Sequence, residues 1–332
     1  MKMFRWLCVF AFVVIATNTS FVSASDIRAV VTGKLPDDVK GTFIYFDTDA
    51  RKAIELNETG EVVWSFKIPS KYRSEVLRLS VDLEWHAKTE SLMLAIPKSG
   101  FLRVNKSGEV IAECNSKFIS HDADLLENGN VIFVNAWDGD NDPIVTELDS
   151  NCKKVRELFF DDLGIPKSER KAKRDNGKYS NTHINAVEVL KDRALLLSLR
   201  NFNQVVIWDG SSIKESFKKI TKVHDPVFMK GELYAAYHKR CDQRVVKKQK
   251  NKVLKDVWVM PRADCDVWSP IRTMQPINDK YFFITGSQAM GLIDLEGNML
   301  WEAKLKGFDH QIKGKRRGKK PFLYKAVFVS AN

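Results

Sequence analysis

The sequence predicts an all-β protein folded as a six-bladed β-propeller, whose last blade is closed by strands from both ends of the chain. Three observations favour this fold class. Two strand-and-turn phrases recur along the chain, their period is that of a propeller blade, and the N-terminal segment supplies three strands where a blade needs four. No segment of helical period competes with this pattern outside the N-terminal apolar run.

The first phrase is an apolar strand, a polar turn that usually contains glycine, and a second strand that often carries tryptophan. The interval between its last two copies is near twice the interval between the second and third copies, which predicts a degenerate copy near position 251, in NKVLKDVWVMP. A polar insertion between Asp161 and Lys178 lengthens the interval before the fourth copy. The five copies span 53–66, 101–114, 145–158, 205–217 and 291–303.

The second phrase lies between copies of the first and consists of a polar start, an alternating strand, a turn and a strongly apolar strand. Together the two phrases place four short strands in roughly 40 to 47 residues, which is the length of one blade. The copies span 80–96, 121–136, 183–200, 224–238 and 271–287, and their first strands start at Asp82, His121, His183, His224 and Ile271.

The sixth blade is predicted from both ends of the chain. Three strands come from the N-terminal side, at 41–49, 52–57 and 61–68, and the segment LYKAVFVS at 323–330 provides the fourth. Such a closure removes exposed sheet edges, which are prone to pair with other chains.

The first 24 residues predict a secretory signal peptide. Lys2 and Arg5 precede an apolar run from Trp6 to Ala16, and Val22-Ser23-Ala24 matches a cleavage site after Ala24. The run is too short to span a bilayer, so we expect an exported, periplasmic or secreted protein without stable membrane insertion. Residues 25–332 then form a single propeller domain. The net charge of +11 suits an anionic small molecule, because export argues against nucleic acid as the partner.

Four cysteines remain beyond the signal peptide, which allows two disulfides and three possible pairings in an oxidising compartment. They are Cys114, Cys152, Cys241 and Cys265, and no two of them have the spacing of a zinc-ligand pair. The preferred pair is Cys241 with Cys265, because both flank one predicted blade.

The positions of three histidines in the repeat predict the candidate site. His121, His183 and His224 start the first strands of successive blades, and first strands line the central channel of a propeller. Equivalent positions on neighbouring blades therefore face one another around the axis. A lone histidine is more often a core or surface group, but three at one repeat position favour a functional cluster. Asp122 and Asp225, each following such a histidine, are interpreted as turn residues or as orienters of the ring.

Further groups are expected at the same mouth of the channel. Arg200 ends the second strand of its blade, and in an antiparallel pair that end lies beside the start of the first strand, next to His183. The same reasoning places His238 beside His224 and Trp137 beside His121. His310 precedes the closing strand and joins the ring if the basic segment 313–320 loops out.

The combination of histidines and arginine favours an anion over a metal. Imidazole suits zinc, copper or iron, but a guanidinium repels a cation and matches oxyanions. Histidine can also act as a nucleophile, so the set predicts transfer of a sulfuryl or phosphoryl group without a cofactor. Neither a phosphate-binding glycine loop nor a serine-hydrolase elbow is found in the sequence.

These residues resemble the bacterial aryl-sulfate sulfotransferases that do not use a nucleotide sulfate. The likeness is carried by HDADLLENGNVIF from His121, HINAVEV from His183, LLLSLR ending at Arg200 and HDPVF from His224. It implies an exported six-bladed propeller, an aryl sulfate donor and a phenolic acceptor. His224 would match the histidine that becomes sulfated, and His183, Arg200 and His121 would bind the sulfuryl oxygens and assist the leaving phenol.

Four more positions are expected to contact the substrate, namely His238, Asn185, Trp137 and His310. Two other readings stay open. The first is a non-catalytic exported propeller that binds a ligand or a protein partner, and the second is a metal- or quinone-dependent oxidoreductase. The natural donor and acceptor and the oligomeric state are also left open by the sequence.

Overall fold

The computed structural model describes residues 28–48, 50–72, 81–169, 173–175, 178–248, 253–306 and 323–331. Within these ranges six antiparallel sheets form the six blades of a β-propeller, as predicted. Each innermost strand contacts the innermost strand of the next blade, and the circle closes on itself.

The first three blades in chain order are regular four-stranded meanders. The first contains β5 (Asp82–His86), β6 (Ser91–Ile96), β7 (Gly100–Asn105) and β8 (Val110–Asn115). The second contains β9 (Ala123–Leu125), β10 (Val131–Val134), β11 (Val145–Leu148) and β12 (Lys154–Leu158). The third contains β15 (Ile184–Val189), β16 (Leu195–Leu199), β17 (Gln204–Trp208) and β18 (Ile213–Lys218).

The fourth and fifth blades follow the same order. The fourth contains β19 (His224–Met229), β20 (Glu232–Lys239), β21 (Asp242–Lys248) and β22 (Lys255–Val259), and β22 confirms the degenerate copy predicted near 251. The fifth contains β23 (Thr273–Ile277), β24 (Tyr281–Thr285), β25 (Ala289–Asp294) and β26 (Met299–Leu305).

Both ends of the chain build the sixth blade, as predicted. Its strands are β27 (Ala326–Ser330), β2 (Gly41–Asp47), β3 (Lys52–Leu56) and β4 (Val62–Lys67), with β27 innermost and antiparallel to β2. The sequence analysis missed β1 (Ala29–Gly33), which pairs with β26 and gives the fifth blade a fifth strand. The N-terminal segment therefore links two neighbouring blades.

Little of the described chain lies outside the blades. The predicted polar insertion contains the hairpin β13 (Lys173–Asp175) and β14 (Lys178–Ser180). One α-helix, α1 (Cys265–Trp268), is four residues long. Single 3₁₀ turns span Ala87–Thr89, Phe160–Leu163, Lys167–Glu169, Arg200–Phe202 and Arg262–Asp264. Within the described ranges no helix has the length and apolar character needed to cross a membrane.

The apolar strands predicted from the second phrase are the second strands of the blades, and they are buried on both faces. Every residue of β6, β10 and β16 is buried, because each blade packs face to face against its neighbours. The fifth and sixth blades meet through Phe43, whose ring stacks on Trp301 with centroids 4.2 Å apart. The predicted glycine turns require Gly60 and Gly108, at φ +84° and +82°.

Two disulfides join neighbouring segments of the propeller. The preferred pair Cys241–Cys265 is present, and the remaining pair is Cys114–Cys152. The first closes a loop of 24 residues at the fourth blade, and the second closes a loop of 38 residues between the first two blades.

We expect removal of either disulfide to lower the free energy of unfolding by about 3–4 kcal/mol, because each bond restricts the unfolded chain. Urea unfolding of the double variants Cys114→Ala/Cys152→Ala and Cys241→Ala/Cys265→Ala measures this loss. An unchanged midpoint and slope in either variant would contradict the expectation.

Candidate functional site

The candidate site is a ring of side chains at one mouth of the central channel. Its six positions lie at the start of the innermost strands or up to two residues before them. They hold Val81, His121, His183, His224, Arg272 and Tyr324, in the order of the blades. Three of these are the histidines predicted from the repeat, so the structure does bring them to equivalent places.

The ring residues contact one another across blade boundaries. The centroid of the His121 imidazole lies 5.3 Å from that of the His183 imidazole and 5.6 Å from that of the Tyr324 phenol group. The guanidinium of Arg272 lies over the Tyr324 ring at 4.5 Å. His121, His183 and His224 are 8%, 6% and 9% exposed, so the cluster is largely closed to solvent.

The second strands contribute further groups at the same mouth, as predicted. Arg200 starts the 3₁₀ turn after β16, and its charge lowers the pKa values of His121, His224 and His238. The His238 ring meets that of His224 edge to face at 6.1 Å, and Trp137 meets His121 in the same way at 5.0 Å.

Asn185 and His310 differ from the others. Asn185 is buried and its Nδ2 donates to the carbonyl of Val223, which joins the His183 segment to the residue before His224. Its Oδ1 has no partner among the described residues, so Asn185 stays a candidate for substrate contact. His310 lies outside the described residues.

The sequence analysis missed Arg272 and Tyr324. The predicted blade start Ile271 directly precedes Arg272, and the predicted closing strand LYKAVFVS contains Tyr324, so the repeat position could have identified both residues. The histidine pattern does not include them, because neither position holds a histidine. Arg272 adds a second guanidinium to that of Arg200, and Tyr324 adds a phenol group.

A buried carboxylate supports the backbone of His183, which has a left-handed φ of +46°. Asp138 is fully buried and accepts hydrogen bonds from the hydroxyls of Ser180 and Thr182 and from the backbone N–H of Thr182. Burial raises the pKa of Asp138 to about 6, against the hydrogen bonds that lower it. This network positions His183 in a conformation that a non-glycine residue adopts only at a cost.

The tautomer of His224 follows from one hydrogen bond. Its Nδ1 lies 2.8 Å from the backbone oxygen of Lys222, and a carbonyl oxygen can only accept, so Nδ1 carries a proton. In the neutral ring Nε2 then carries the lone pair. Burial, followed by the charges of Arg272, His238 and Arg200, holds the pKa of His224 well below its usual value.

His121 and His238 are also kept neutral. Burial and the neighbouring His183 and Arg272 hold the pKa of His121 well below its usual range. Burial lowers the pKa of His238 to about 4. Burial and nearby positive charge both oppose the imidazolium form of His121.

We therefore expect His121 and His224 to show constant imidazole NMR shifts between about pH 5.5 and 8, whereas free histidine titrates near 6.5. Histidine-labelled protein provides the measurement, and the urea-unfolded protein is the control. Below about pH 6.5 the unfolded state binds more protons at these two histidines than the folded state does. Their contribution to stability is therefore present above that pH and is lost as the pH falls. Titration of either residue near 6.5 would contradict the expectation.

Comparison with known proteins supports the fold. No protein-family model and no curated protein matches the chain at a significant level. A protein of unknown function from Bacteroides caccae matches 79% of this chain and 93% of its own, with 14% identity and a TM-score of 0.53. A streptogramin B lyase matches 86% of this chain and 90% of its own, with 13% identity and a TM-score of 0.52.

A third solved structure is a catalytically inactive histidine-to-alanine variant of virginiamycin B lyase from Staphylococcus aureus with quinupristin. It matches 84% of this chain and 89% of its own, with 12% identity and a TM-score of 0.50. At such identities these similarities establish the propeller architecture, and function must be argued from the site itself.

Proposed function

We propose that this protein transfers a sulfuryl group from an aryl sulfate donor to a phenolic acceptor, with His224 carrying the group in between. The observation that supports this best is the state of His224. Its Nδ1–H donates a hydrogen bond to the backbone oxygen of Lys222. Burial, together with the charges of Arg272 and Arg200, keeps Nε2 unprotonated. A neutral nitrogen nucleophile next to two guanidiniums suits attack on an anionic ester.

In the first half-reaction Nε2 of His224 attacks the sulfur atom. The N–S bond forms while the bond from sulfur to the aryl oxygen breaks, and the phenolate leaves with the electron pair. Arg200, Arg272 and His183 bind the sulfuryl oxygens, whose charge grows during transfer. Burial raises the pKa of Tyr324, so this residue keeps its proton and can donate a hydrogen bond to the leaving oxygen.

In the second half-reaction the acceptor phenol attacks the same sulfur atom. Its oxygen forms the new S–O bond, the N–S bond breaks, and His224 regains its lone pair. His121 is neutral, so one of its ring nitrogens can accept a hydrogen bond from the phenolic O–H, whose proton passes to water as the S–O bond forms.

The fold similarity is compatible with an enzyme, since a streptogramin B lyase has the same architecture. We further propose that the chain is exported, and both disulfides favour an oxidising compartment. The signal peptide itself lies outside the described residues.

The test is release of nitrophenol from p-nitrophenyl sulfate, measured with and without added phenol. We expect phenol to accelerate release, and double-reciprocal plots at several acceptor concentrations to be parallel, as for a covalent intermediate. A rate of nitrophenol release that does not depend on the acceptor concentration would indicate hydrolysis instead. Absence of release with any phenolic acceptor would contradict the proposal and favour a non-catalytic binding propeller.

A further inference from the structure

A cavity lies in the central channel, further along the innermost strands than the ring. Its volume is about 250 Å³, and it is lined by residues of β5, β9, β19, β23 and β27 together with the adjoining residues Asp122 and Lys325. The ring residues precede these segments in each blade, so the cavity lies beyond the ring along the same channel.

Lys325 lies on the wall of this cavity among carboxylates from three other blades. Its Nζ pairs with Asp122, lies 3.1 Å from Asp225 and lies 3.3 Å from Asp82. Lys325 is buried, and the three carboxylates hold its pKa well above the usual value although burial opposes its charge. One ammonium therefore faces three carboxyl groups.

Two more carboxyl groups line the cavity beyond this cluster. Glu84 accepts the backbone N–H of Leu125 at 2.5 Å, and Asp124 follows on the next blade. Burial raises the pKa of Glu84 to about 8 and that of Asp124 well above its usual value, against the weaker effect of Lys325. Arg103 of β7 also interacts with Glu84. Both carboxyl groups therefore hold their protons at neutral pH while the cavity is empty, and a bound cation would favour their ionised forms.

Thr273 gives an independent sign of an unfilled site. It lines the cavity, is 6% exposed, and its hydroxyl has no hydrogen-bond partner among the described residues. A buried hydroxyl without a partner destabilises the fold, and a ligand that donates a hydrogen bond would satisfy it.

The wall chemistry decides the class of ligand. The described residues include no group of three or more histidine, cysteine or acidic side chains placed to hold a metal ion. Apolar residues, among them Leu83, Ala123 and Val327, also line the cavity, so it offers apolar contact next to the carboxyl groups. An ammonium bound to a short hydrocarbon matches both surfaces.

We propose that this cavity binds a small organic cation, an alkyl amine or diamine, whose ammonium groups are held by Glu84 and Asp124. The proposal is independent of the sulfuryl transfer, because none of its residues belongs to the ring.

The test is calorimetric titration of the whole protein with putrescine as the probe, and with the uncharged diol of the same chain length as its match. We expect putrescine to bind one to one and the diol not to bind. Glu84→Gln and Asp124→Asn should each weaken binding by about tenfold or more, since a charge-assisted hydrogen bond is lost. Glutamine at position 84 can still accept the N–H of Leu125, which preserves the fold.

The matched control is Glu109→Gln, which changes an exposed carboxylate in the turn before β8 and should leave binding unchanged. Absence of putrescine binding, equal binding of the diol, or unchanged affinity in both cavity variants would overturn the proposal. Binding of calcium in place of putrescine would overturn it as well, because it would identify a metal site.

Discussion

Replacing His224 with alanine is expected to lower acceptor-stimulated phenol release from p-nitrophenyl sulfate by at least about a thousandfold, since no other group would carry the sulfuryl group. The same variant should fail to retain label from a radiolabelled aryl sulfate after rapid denaturation. The wild-type protein should retain one label per chain under alkaline quench. The two measurements together separate loss of the nucleophile from loss of donor binding.

The matched control for this experiment is His86→Ala. His86 ends β5, its Nδ1 lies 2.7 Å from Thr89 Oγ1, and it is remote from the ring in its own blade. Turnover within about twofold of wild type is expected there, as for a surface substitution away from the site. Full labelling of the His224→Ala protein would refute the assignment of the nucleophile, even if turnover fell.

Replacing Lys325 with methionine is expected to lower the free energy of unfolding by about 3–5 kcal/mol, which is the usual result of leaving buried charges without their partner. Asp82, Asp122 and Asp225 would then face one another in the channel without an ammonium between them. Methionine has nearly the same length as the lysine stem, so packing changes little. Urea unfolding followed by tryptophan fluorescence measures the loss.

The loss should grow with pH. Burial raises the pKa of Asp122 to about 8 in the folded protein, so the folded state holds a proton that the unfolded state releases. Such a group stabilises the fold at low pH and loses that contribution as the pH rises through its folded pKa. Without Lys325 the carboxylates retain protons to still higher pH, so we expect a larger effect at about pH 9 than at about pH 5.

The control for this variant is Lys280→Met. Lys280 is exposed and pairs with Asp38 at 2.6 Å on the surface, where solvent screens the attraction and such a pair contributes little to stability. A Lys325→Met protein that is no less stable than the Lys280→Met protein at any pH would show that the buried cluster does not stabilise the fold.

Most of the fold could be predicted from local patterns. Two features recur along the sequence at the spacing of a blade, and the structure contains both. They are the polar turns, such as those at Gly60 and Gly108, and the apolar second strands β6, β10 and β16. The strand β1 was not predicted, because AVVTG is short and its partner strand β26 lies near the other end of the chain. No local pattern specifies a partner at that distance.

Part of the site could be predicted in the same way. His121, His183 and His224 occupy one repeat position, and position in the repeat determines position around the axis. Arg272 and Tyr324 occupy that position as well but are not histidines. Their equivalence to the histidines follows from the strand boundaries in the structure. Asp122 and Asp225 had been interpreted as turn residues or orienters of the ring. That was wrong: both bind Lys325, and each accepts a backbone N–H of another blade, Asp122 from Val187 and Asp225 from Met274.

The amino-acid sequence by itself determined the blades, their closure by both ends of the chain and the histidines of the ring, because these depend on alternation and repeat spacing within short segments. Only the tertiary structure decided the charge states. Lys325 reaches the carboxylates of Asp82, Asp122 and Asp225 because closure of the propeller brings β27 beside the strands of other blades. His121 and His224 are neutral because the assembled blades exclude water from them and gather positive charge around them. Burial and through-space charge are set by segments far apart in the chain, and a linear pattern carries no record of them.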